Sequence, residues 1–560
     1  MFDHDILVIG AGLAGMRAAY TASQSGADVA IVSKVYPVRS HSNAAQGGIN
    51  AALTDRGDDW EDHAYDTIKG SDYLGDQDAI EIMCREAGSE VISMEHMGVI
   101  FNRDEEGKLG VRSFGGQRQA RTFFVADFTG QALLHVLHEQ ILKIGARVYE
   151  EWFVLSLIVE DGECHGAVVM EIRSGEVHAI RAKAVILATG GLGRVFEPST
   201  NALICTGDGM ALAYENGAPL MDMEMVQYHP TTLKANGALL SEAARGEGAY
   251  LLNSEGDRFM QEYAPNMLEL ASRDVVSRSE QTEINEGRGI DGCVLLDVRH
   301  IGETLINEKL SQIRQLGIDF ANVDMVHEPV PIRPGMHYQM GGIKTDVNGL
   351  TNIMGLYAAG ETACVSVHGG NRLGANSLLD TLVFGRRAGD HASNVVRSRQ
   401  HSDAITDQYA ERERNRLQEM LNRNGGGELF GKIRLDLGEA MNTHLAVYRD
   451  QQGMETALEE LKGLKTRYDR VIVHDKGKTF NTNLIFTLEL GFMLDCAEAI
   501  ILGALERKES RGAHTRTDMP DRDDSNWLKH ILIAKDENGQ PDVTYQDVTI
   551  TQWEPQVRSY

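Results

Sequence analysis

The sequence predicts an α/β fold: a Rossmann-like nucleotide-binding domain assembled from distant segments, interrupted by an insertion and followed by a helical bundle. Three observations predict it. A strand–turn–helix–strand pattern opens the chain, two further strand–glycine signals recur far downstream, and a late stretch carries apolar residues at three- and four-residue spacing.

The opening pattern is "DILVIG", "AGLAGMRAAYTASQSG" and "ADVAIVS" over residues 5–33. Its short apolar runs read as buried parallel strands, and the alanines between them as a closely packed helix. The first strand is expected to begin at about residue 5, which leaves no room for a signal peptide. The related signals are "AKAVILATGG" at 182–191 and "GLYAAGE" at 355–361. An insertion is expected from about 231 to 334, containing the helical stretch "GETLINEKLSQIRQLG". Between about 406 and 510 four helical stretches form an antiparallel bundle. Residues 511–560 are polar and end in the strand-like "DVTYQDVTITQ".

The 560 residues allow several domains, and 42% hydrophobic with 24% charged residues is ordinary for a globular chain. A net charge of -28 argues against nucleic acid as a partner and against direct binding to anionic lipid. Small anionic substrates stay open, because local arginines and histidines can dominate a buried site. The six cysteines are scattered without a C-x-x-C, which reads as reduced thiols and excludes an iron–sulfur cluster ligated by this chain alone. No stretch reaches 18 uninterrupted apolar residues, and no membrane span is expected.

"GAGLAG" sets Gly10, Gly12 and Gly15 in a G-x-G-x-x-G between a strand and a helix, with Ala11, Leu13 and Ala14 between them. The first glycine permits the tight turn, the second lets backbone approach a pyrophosphate, and the third allows helix–strand contact. The helix N-terminus then offers unpaired N–H groups to the anion. Thr189 and Gly190 in "ATGG" and Glu361 in "AAGE" tilt the choice of nucleotide toward FAD, whose isoalloxazine and ribityl chain need backbone contacts from later strands.

A second set of residues points to a small dicarboxylate: His229 in "QYHPTT", Ser241, Glu242 and Arg245 in "LLSEAARGEG", Arg273 in "ASRD", His337 in "MHYQMGGI" and Arg372 in "HGGNRLGANSLLD". Arginine suits bidentate carboxylate recognition. Each also has a plainer reading. His229 could be a satisfied core histidine, Arg273 could pair with Asp274, His337 could bond a carbonyl, and Glu242 with Arg245 could be a solvated ion pair.

"RSHSNAAQGG", "QYHP", "RGEG", "HYQMGG", "NRLGANSLLDTLVFGRRAG" and "SRGAHTRTDMPDRDDSNWLKH" resemble the flavoprotein subunit of succinate dehydrogenase and fumarate reductase, and the likeness covers nearly the whole chain. The resemblance implies an α/β Rossmann-like FAD-binding domain (1–230 and 335–405), interrupted by an α+β capping domain (231–334), then a helical domain (406–510) and a small C-terminal domain (511–560). It implies covalent attachment of FAD through its 8α-methyl to His41, with Ser33, Lys34, Ser40, Gln46, Gly47, Gly48, Val154, Asp208, Glu361, Ser377 and Leu378 as further FAD contacts. Phe114, His229, Ser241, Glu242, His337 and Arg372 match the family's dicarboxylate site. At 241 the family more often has threonine; serine keeps the hydroxyl and loses a methyl. Arg273 matches the proton-transferring residue, with Glu242 and Arg245 as a relay, although a free guanidinium is effectively always protonated.

The implied activity is succinate oxidation to fumarate, with electrons passing to an iron–sulfur subunit and on to quinone through membrane anchor subunits. The chain would then be peripheral on the cytoplasmic side of the cell membrane. Gln46 resembles the dehydrogenase members, where some fumarate reductases have glutamate. Fumarate reduction is the alternative direction, and a soluble L-aspartate oxidase-type flavoenzyme the alternative class. A flavin-dependent RNA-modifying protein would need a basic surface.

Overall fold

The computed structural model describes residues 2–402 and 406–558. Strands Val29–Ser33, Phe2–Ile9 and Val177–Leu187 lie side by side and parallel, with Arg147–Glu150 outside the first and Leu356–Ala358 against the last. The three strand–glycine segments therefore meet: Ile9 pairs with both Val32 and Leu187, and Ala358 pairs with Leu187. Their C-terminal ends open on one edge, where ligands of doubly wound sheets bind. Strands Trp152–Glu160 and Glu163–Glu171 extend the sheet antiparallel.

The first strand starts at Phe2, three residues before the expected start, because Phe2–His4 pair with Ile180–Ala182. The Phe2 ring also packs edge-on against Tyr149, Trp152 and His178.

Side chains alternate along Ile6–Ile9 between two cores. Ile6 and Val8 face the helices Leu13–Gln24, Gln77–Met97, Thr129–Ile144 and Asn376–Val396. Leu7 and Ile9 share the other core with the late helices, through Leu417, Leu437, Leu461 and Leu488. The helical segment thus has no core of its own. Its helix Thr482–Glu506 is buried on nearly all sides, including Ile485, Leu490, Met493 and Ile500. The boundary expected at 405/406 adjoins residues 403–405, which lie outside the described residues.

The insertion does have a separate core, built on Leu240, Leu251, Val276, Leu296, Ile313 and Ile332. Chain enters and leaves it along the antiparallel strands Val226–Thr232 and Val330–Gln339, so the expected boundaries fall within paired strands. Strands Lys529–Lys535 and Pro541–Asp547 join Leu220–Met221, Gly342–Lys344 and Ala363–Cys364 in a five-stranded sheet. The expected last strand stops at Asp547, and the chain beyond it forms a strap held by side chains. Among the described residues, no helix is long and apolar enough to cross a membrane.

Candidate active site

A cleft of about 430 Å³ runs from the ends of the parallel strands to the underside of the insertion. At one end the chain turns sharply through Gly10 (φ +112°), where a Cβ would stand 2.1 Å from Ala188 O. Gly12 precedes the helix Leu13–Gln24 with no side-chain cap, so its first N–H groups face the cleft; Leu13 N–H donates to Ser42 Oγ at 3.3 Å. Gly15 lies behind the cleft, and a Cβ there would be 1.9 Å from Gly10 O.

Ser33, Ser40, His41, Gln46, Gly47, Gly48, Val154, Thr189, Gly190, Asp208, Glu361, Ser377 and Leu378 all line the cleft, as do Ala11 and Ala14. Lys34 lines it too, and donates to Asp208 (2.8 Å), Thr206 (2.9 Å) and Glu489 (2.7 Å). Burial lowers its pKa, but the two carboxylates outweigh that and raise it. Glu489 comes from the late helix Thr482–Glu506, so this contact ties helical segment to nucleotide cleft. Glu361 accepts from Gln339 N–H at 3.1 Å, and burial pushes its carboxyl up to about 7.

His41 sits on a short turn, with Nδ1 accepting from Ala202 N–H at 3.3 Å. Burial first, then the charge of Arg194, lowers its pKa to about 4, so the ring is neutral. An imidazole that accepts at Nδ1 carries its single substituent, proton or carbon, on Nε2. The residues fit a flavin nucleotide: a glycine cradle, an uncapped helix start, and buried Ser40 Oγ and Gln46 Oε1 with no protein partner.

The other end of the cleft gathers the expected dicarboxylate residues. His229 and His337 lie on the neighbouring strands Val226–Thr232 and Val330–Gln339, with ring centroids 4.9 Å apart. His229 Nδ1 accepts from Thr231 N–H at 3.2 Å, which puts its proton on Nε2, and Nε2 has no partner. The core-histidine reading is thus half right: one nitrogen is satisfied and the other is left as a donor. His337 Nδ1 lies 2.8 Å from Thr200 Oγ1. Burial, followed by the Arg273 charge, holds both imidazoles well below the ordinary histidine range.

Glu242 is buried and accepts from Arg273 Nε (2.7 Å) and Gly115 N–H (2.7 Å). Burial alone would raise it; Arg273 and then Arg245 reverse this and hold it at about 2. Arg273 therefore pairs with Glu242, and its sequence neighbour Asp274 pairs elsewhere. Arg245 is not on the cleft. It stands behind Glu242 at 3.6 Å, fully buried, so this is no solvated ion pair. Ser241 Oγ accepts from Ala243 N–H at 3.3 Å, leaving its own proton for a ligand. Phe114 packs where a Cβ on Gly47 or Gly374 would be 2.6 or 2.7 Å from its ring.

Gln227 escaped the sequence reading although it stands in "QYHP". Its Oε1 accepts from Arg273 Nη1 (3.1 Å) and from Arg372 Nη2 (3.0 Å), holding the two guanidinium groups against one shared oxygen. Its Nε2 donates to Asn371 Oδ1 (2.9 Å) and Arg372 O (2.8 Å). The Arg372 guanidinium lies over the Tyr338 ring at 4.4 Å. Burial and then the Arg273 charge lower the Arg372 pKa to about 9. Arg273 and Arg372 on the cleft, with Arg245 buried behind them, outnumber the ionised Glu242 and leave an excess of positive charge, while burial raises the nearby Glu280 carboxyl well above its ordinary value. A dianion matches that excess.

The insertion closes this end. Gln46 Nε2 donates to Gln312 Oε1 (3.2 Å), and Gln312 N–H donates to Asp127 (2.7 Å). Gln312 and Leu316 also line the cleft and were missed, because no local pattern marks a residue that reaches a site from another domain; Trp152, on the same strand as Val154, lines it too.

Comparison with known proteins bears on this geometry. An FAD binding domain family matches residues 5–378, and the fumarate reductase flavoprotein C-terminal family matches 434–560. The fumarate reductase flavoprotein subunit of Mycobacterium tuberculosis is 47% identical over 579 residues, covering 100% of this chain and 99% of the relative. The succinate dehydrogenase flavoprotein subunit of Rickettsia conorii is 44% identical, covering 98% of this chain and 95% of the relative. A variant of the E. coli quinol fumarate reductase superposes with a TM-score of 0.96 at 41% identity, over 99% of this chain and 98% of that one. The chain is an FAD-dependent oxidoreductase and belongs to the family of succinate dehydrogenase and fumarate reductase flavoprotein subunits.

Proposed function

We propose that this chain interconverts succinate and fumarate in a cleft that also holds FAD, attached covalently through His41. The observation that carries the reading is the pair of cleft arginines, Arg273 and Arg372, held on one Gln227 oxygen and set against the histidine donors His229 and His337. Arg372, His337, His229 and Ser241 would bind the two carboxylates, and Phe114 would pack against the carbon skeleton. FAD, when bound, supplies the hydride acceptor for oxidation and the hydride donor for reduction. Arg273 is the group positioned to take or give the proton, with Glu242 and Arg245 behind it as the exchange route. Fixing the substrate between these groups is positioning catalysis, and the guanidinium charges stabilise negative charge that builds on it.

For His41 the support is its neutral ring with Nδ1 occupied, which leaves Nε2 for the bond to the 8α-carbon. For direction we favour succinate oxidation, because Gln46 lines the flavin region as a neutral amide. A carboxylate there would oppose the negative charge gained on reduction. Fumarate reduction is the second reading, favoured by the name of the mycobacterial relative. Electrons would leave through an iron–sulfur subunit and membrane anchor subunits to quinone, which makes the chain a peripheral subunit on the cytoplasmic face. The name of the E. coli structure, a quinol fumarate reductase, supports that assignment.

The test is to assay the purified holoprotein with artificial electron carriers in both directions, then denature it in acid and look for flavin fluorescence on the polypeptide band. Turnover of succinate and fumarate with fluorescent polypeptide is expected. Turnover of L-aspartate instead, with flavin that washes away, would establish the soluble oxidase.

A further inference from the structure

Away from the cleft, a buried charge cluster lies where the strap after Asp547 crosses the molecule. One side chain lashes it to the helix Gln77–Met97: Gln77 Oε1 accepts the N–H groups of Thr551, Gln552 and Trp553, and Gln77 Nε2 donates to Trp553 O. This course delivers Arg558 between two carboxylates from different parts of the fold. Its Nε is 3.0 Å from Asp72 Oδ1 and its Nη2 is 2.6 Å from Asp274 Oδ2. The Arg558 side chain is 9% exposed, Asp72 7% and Asp274 0%.

Both carboxylates adjoin the cleft arginines. Asp274 follows Arg273 in the first turn of the helix Arg273–Asn285. Asp72 ends a turn that holds the Arg372 loop: Gly370 N–H donates to Ser71 O (2.8 Å) and Asn371 Nδ2 to Gly70 O (3.1 Å). The segment around Gly512 closes the same junction. Ala513 N–H donates to Gly370 O (2.7 Å), Gly512 N–H to Asp72 Oδ2 (2.8 Å), and Arg278 Nη1 to Gly512 O (2.8 Å). Asp72 and Tyr73 both have positive φ (55° and 60°), a conformation that persists in non-glycine residues only where the surroundings over-determine it.

We propose that Arg558 is a positioning residue: by bracing Asp274 against Asp72 it fixes the separation of Arg273 and Arg372 across the cleft. The brace rests on the dicarboxylate reading for its effect on turnover, and on geometry alone for its effect on the two segments. Without Arg558, Asp274 keeps Arg278 at 3.2 Å, a partner on its own helix that reaches Asp72 only indirectly, through the Gly512 backbone. The direct ion-pair link between the two segments would then be gone, leaving Gln227 at the cleft and the Gly512–Ala513 backbone behind it.

The experiment uses the FAD-loaded chain with Arg558→Ala, Arg558→Lys, Asp274→Asn and the Arg558→Ala/Asp274→Asn pair. Steady-state fumarate reduction gives kcat and KM, and hydrogen exchange reports on peptides covering 273–285 and 369–374. For Arg558→Ala we expect kcat to fall at least tenfold, KM to change less, FAD to stay bound and exchange to accelerate in both peptides. Arg558→Lys recovers part of kcat, and the pair is no worse than Arg558→Ala, because both substitutions cut one link. Rates within twofold of the parent, or losses that multiply in the pair, would overturn the brace. If the parent turns over neither succinate nor fumarate, the function reading fails, and unchanged exchange at 273–285 in Arg558→Ala would still refute the brace. Should Arg558→Ala fail to fold, Asp274→Asn carries the same comparison at constant side-chain size.

Discussion

Replacing Gln227 by Leu removes the acceptor that both cleft arginines share while keeping a similar volume. In the structure Gln227 Oε1 receives one N–H from Arg273 at 3.1 Å and one from Arg372 at 3.0 Å. Hydrogen bonds to charged groups contribute about 1.5–3 kcal/mol each, so the two set a range of about 3–6 kcal/mol. Water from the adjoining cleft can re-solvate part of the loss, which selects the lower end. About 3 kcal/mol is roughly a hundredfold in kcat/KM. The lost Nε2 donor also leaves Asn371 Oδ1 and Arg372 O without that partner, at about 1–3 kcal/mol of stability. The assay is dye-linked turnover in both directions on protein with matched FAD content, with the dicarboxylate Kd from titration of the flavin spectrum. A hundredfold loss in kcat/KM in both directions is expected. A value within threefold of the parent, with FAD fully bound, would refute the claim that Gln227 positions the arginine pair.

Arg273→Gln should abolish turnover in both directions while FAD stays attached, and substantial residual activity would remove Arg273 from the proton path. His41→Ser should leave FAD bound without a covalent bond, retain fumarate reduction and lose most succinate oxidation; unchanged succinate oxidation would contradict the role given to the bond. Lys34→Met strands the Asp208 and Glu489 carboxylates, which are 12% and 3% exposed, and should cost about 3 kcal/mol, read as a lower temperature of FAD release. For pH, Glu242 has a lowered pKa of about 2 and is ionised above it, while His229 and His337 have lowered values and are neutral above them. The charge of these three groups is therefore constant from about pH 6 to 8; dicarboxylate Kd should rise modestly through about pH 7 as Glu361 on the same cleft ionises, and again above about 9 as Arg372 loses its proton. A Kd that falls as pH rises from about 6 to 8 would contradict this.

Much of the molecule was legible because backbone demands leave local marks. A strand that ends in glycine and starts a helix must say so in adjacent residues, and all three such segments join one sheet. The cleft residues in "RSHSNAAQGG", "QYHP", "HYQMGG" and "NRLGANS" were legible as blocks for the same reason. What failed was pairing at a distance. Nothing near Lys34 announces Glu489, 455 residues later, and nothing in "SQIRQLG" shows that its Gln312 meets Gln46. Arg245 was expected as part of a relay with Glu242, but the side of that carboxylate it would take had no local mark; the one-turn helix Ala243–Gly246 turns it behind Glu242. The strap after Asp547 reads as a strand by composition, but Gln77 takes its backbone N–H groups before another strand can.

The most direct test of the central claim is anaerobic addition of succinate to the FAD-loaded chain without any electron carrier, followed by fumarate. The account predicts that succinate bleaches the flavin absorbance, that fumarate restores it, and that Arg273→Gln shows neither change. Flavin that stays oxidised with saturating succinate, or that the Arg273→Gln variant bleaches as fast as the parent, would contradict it.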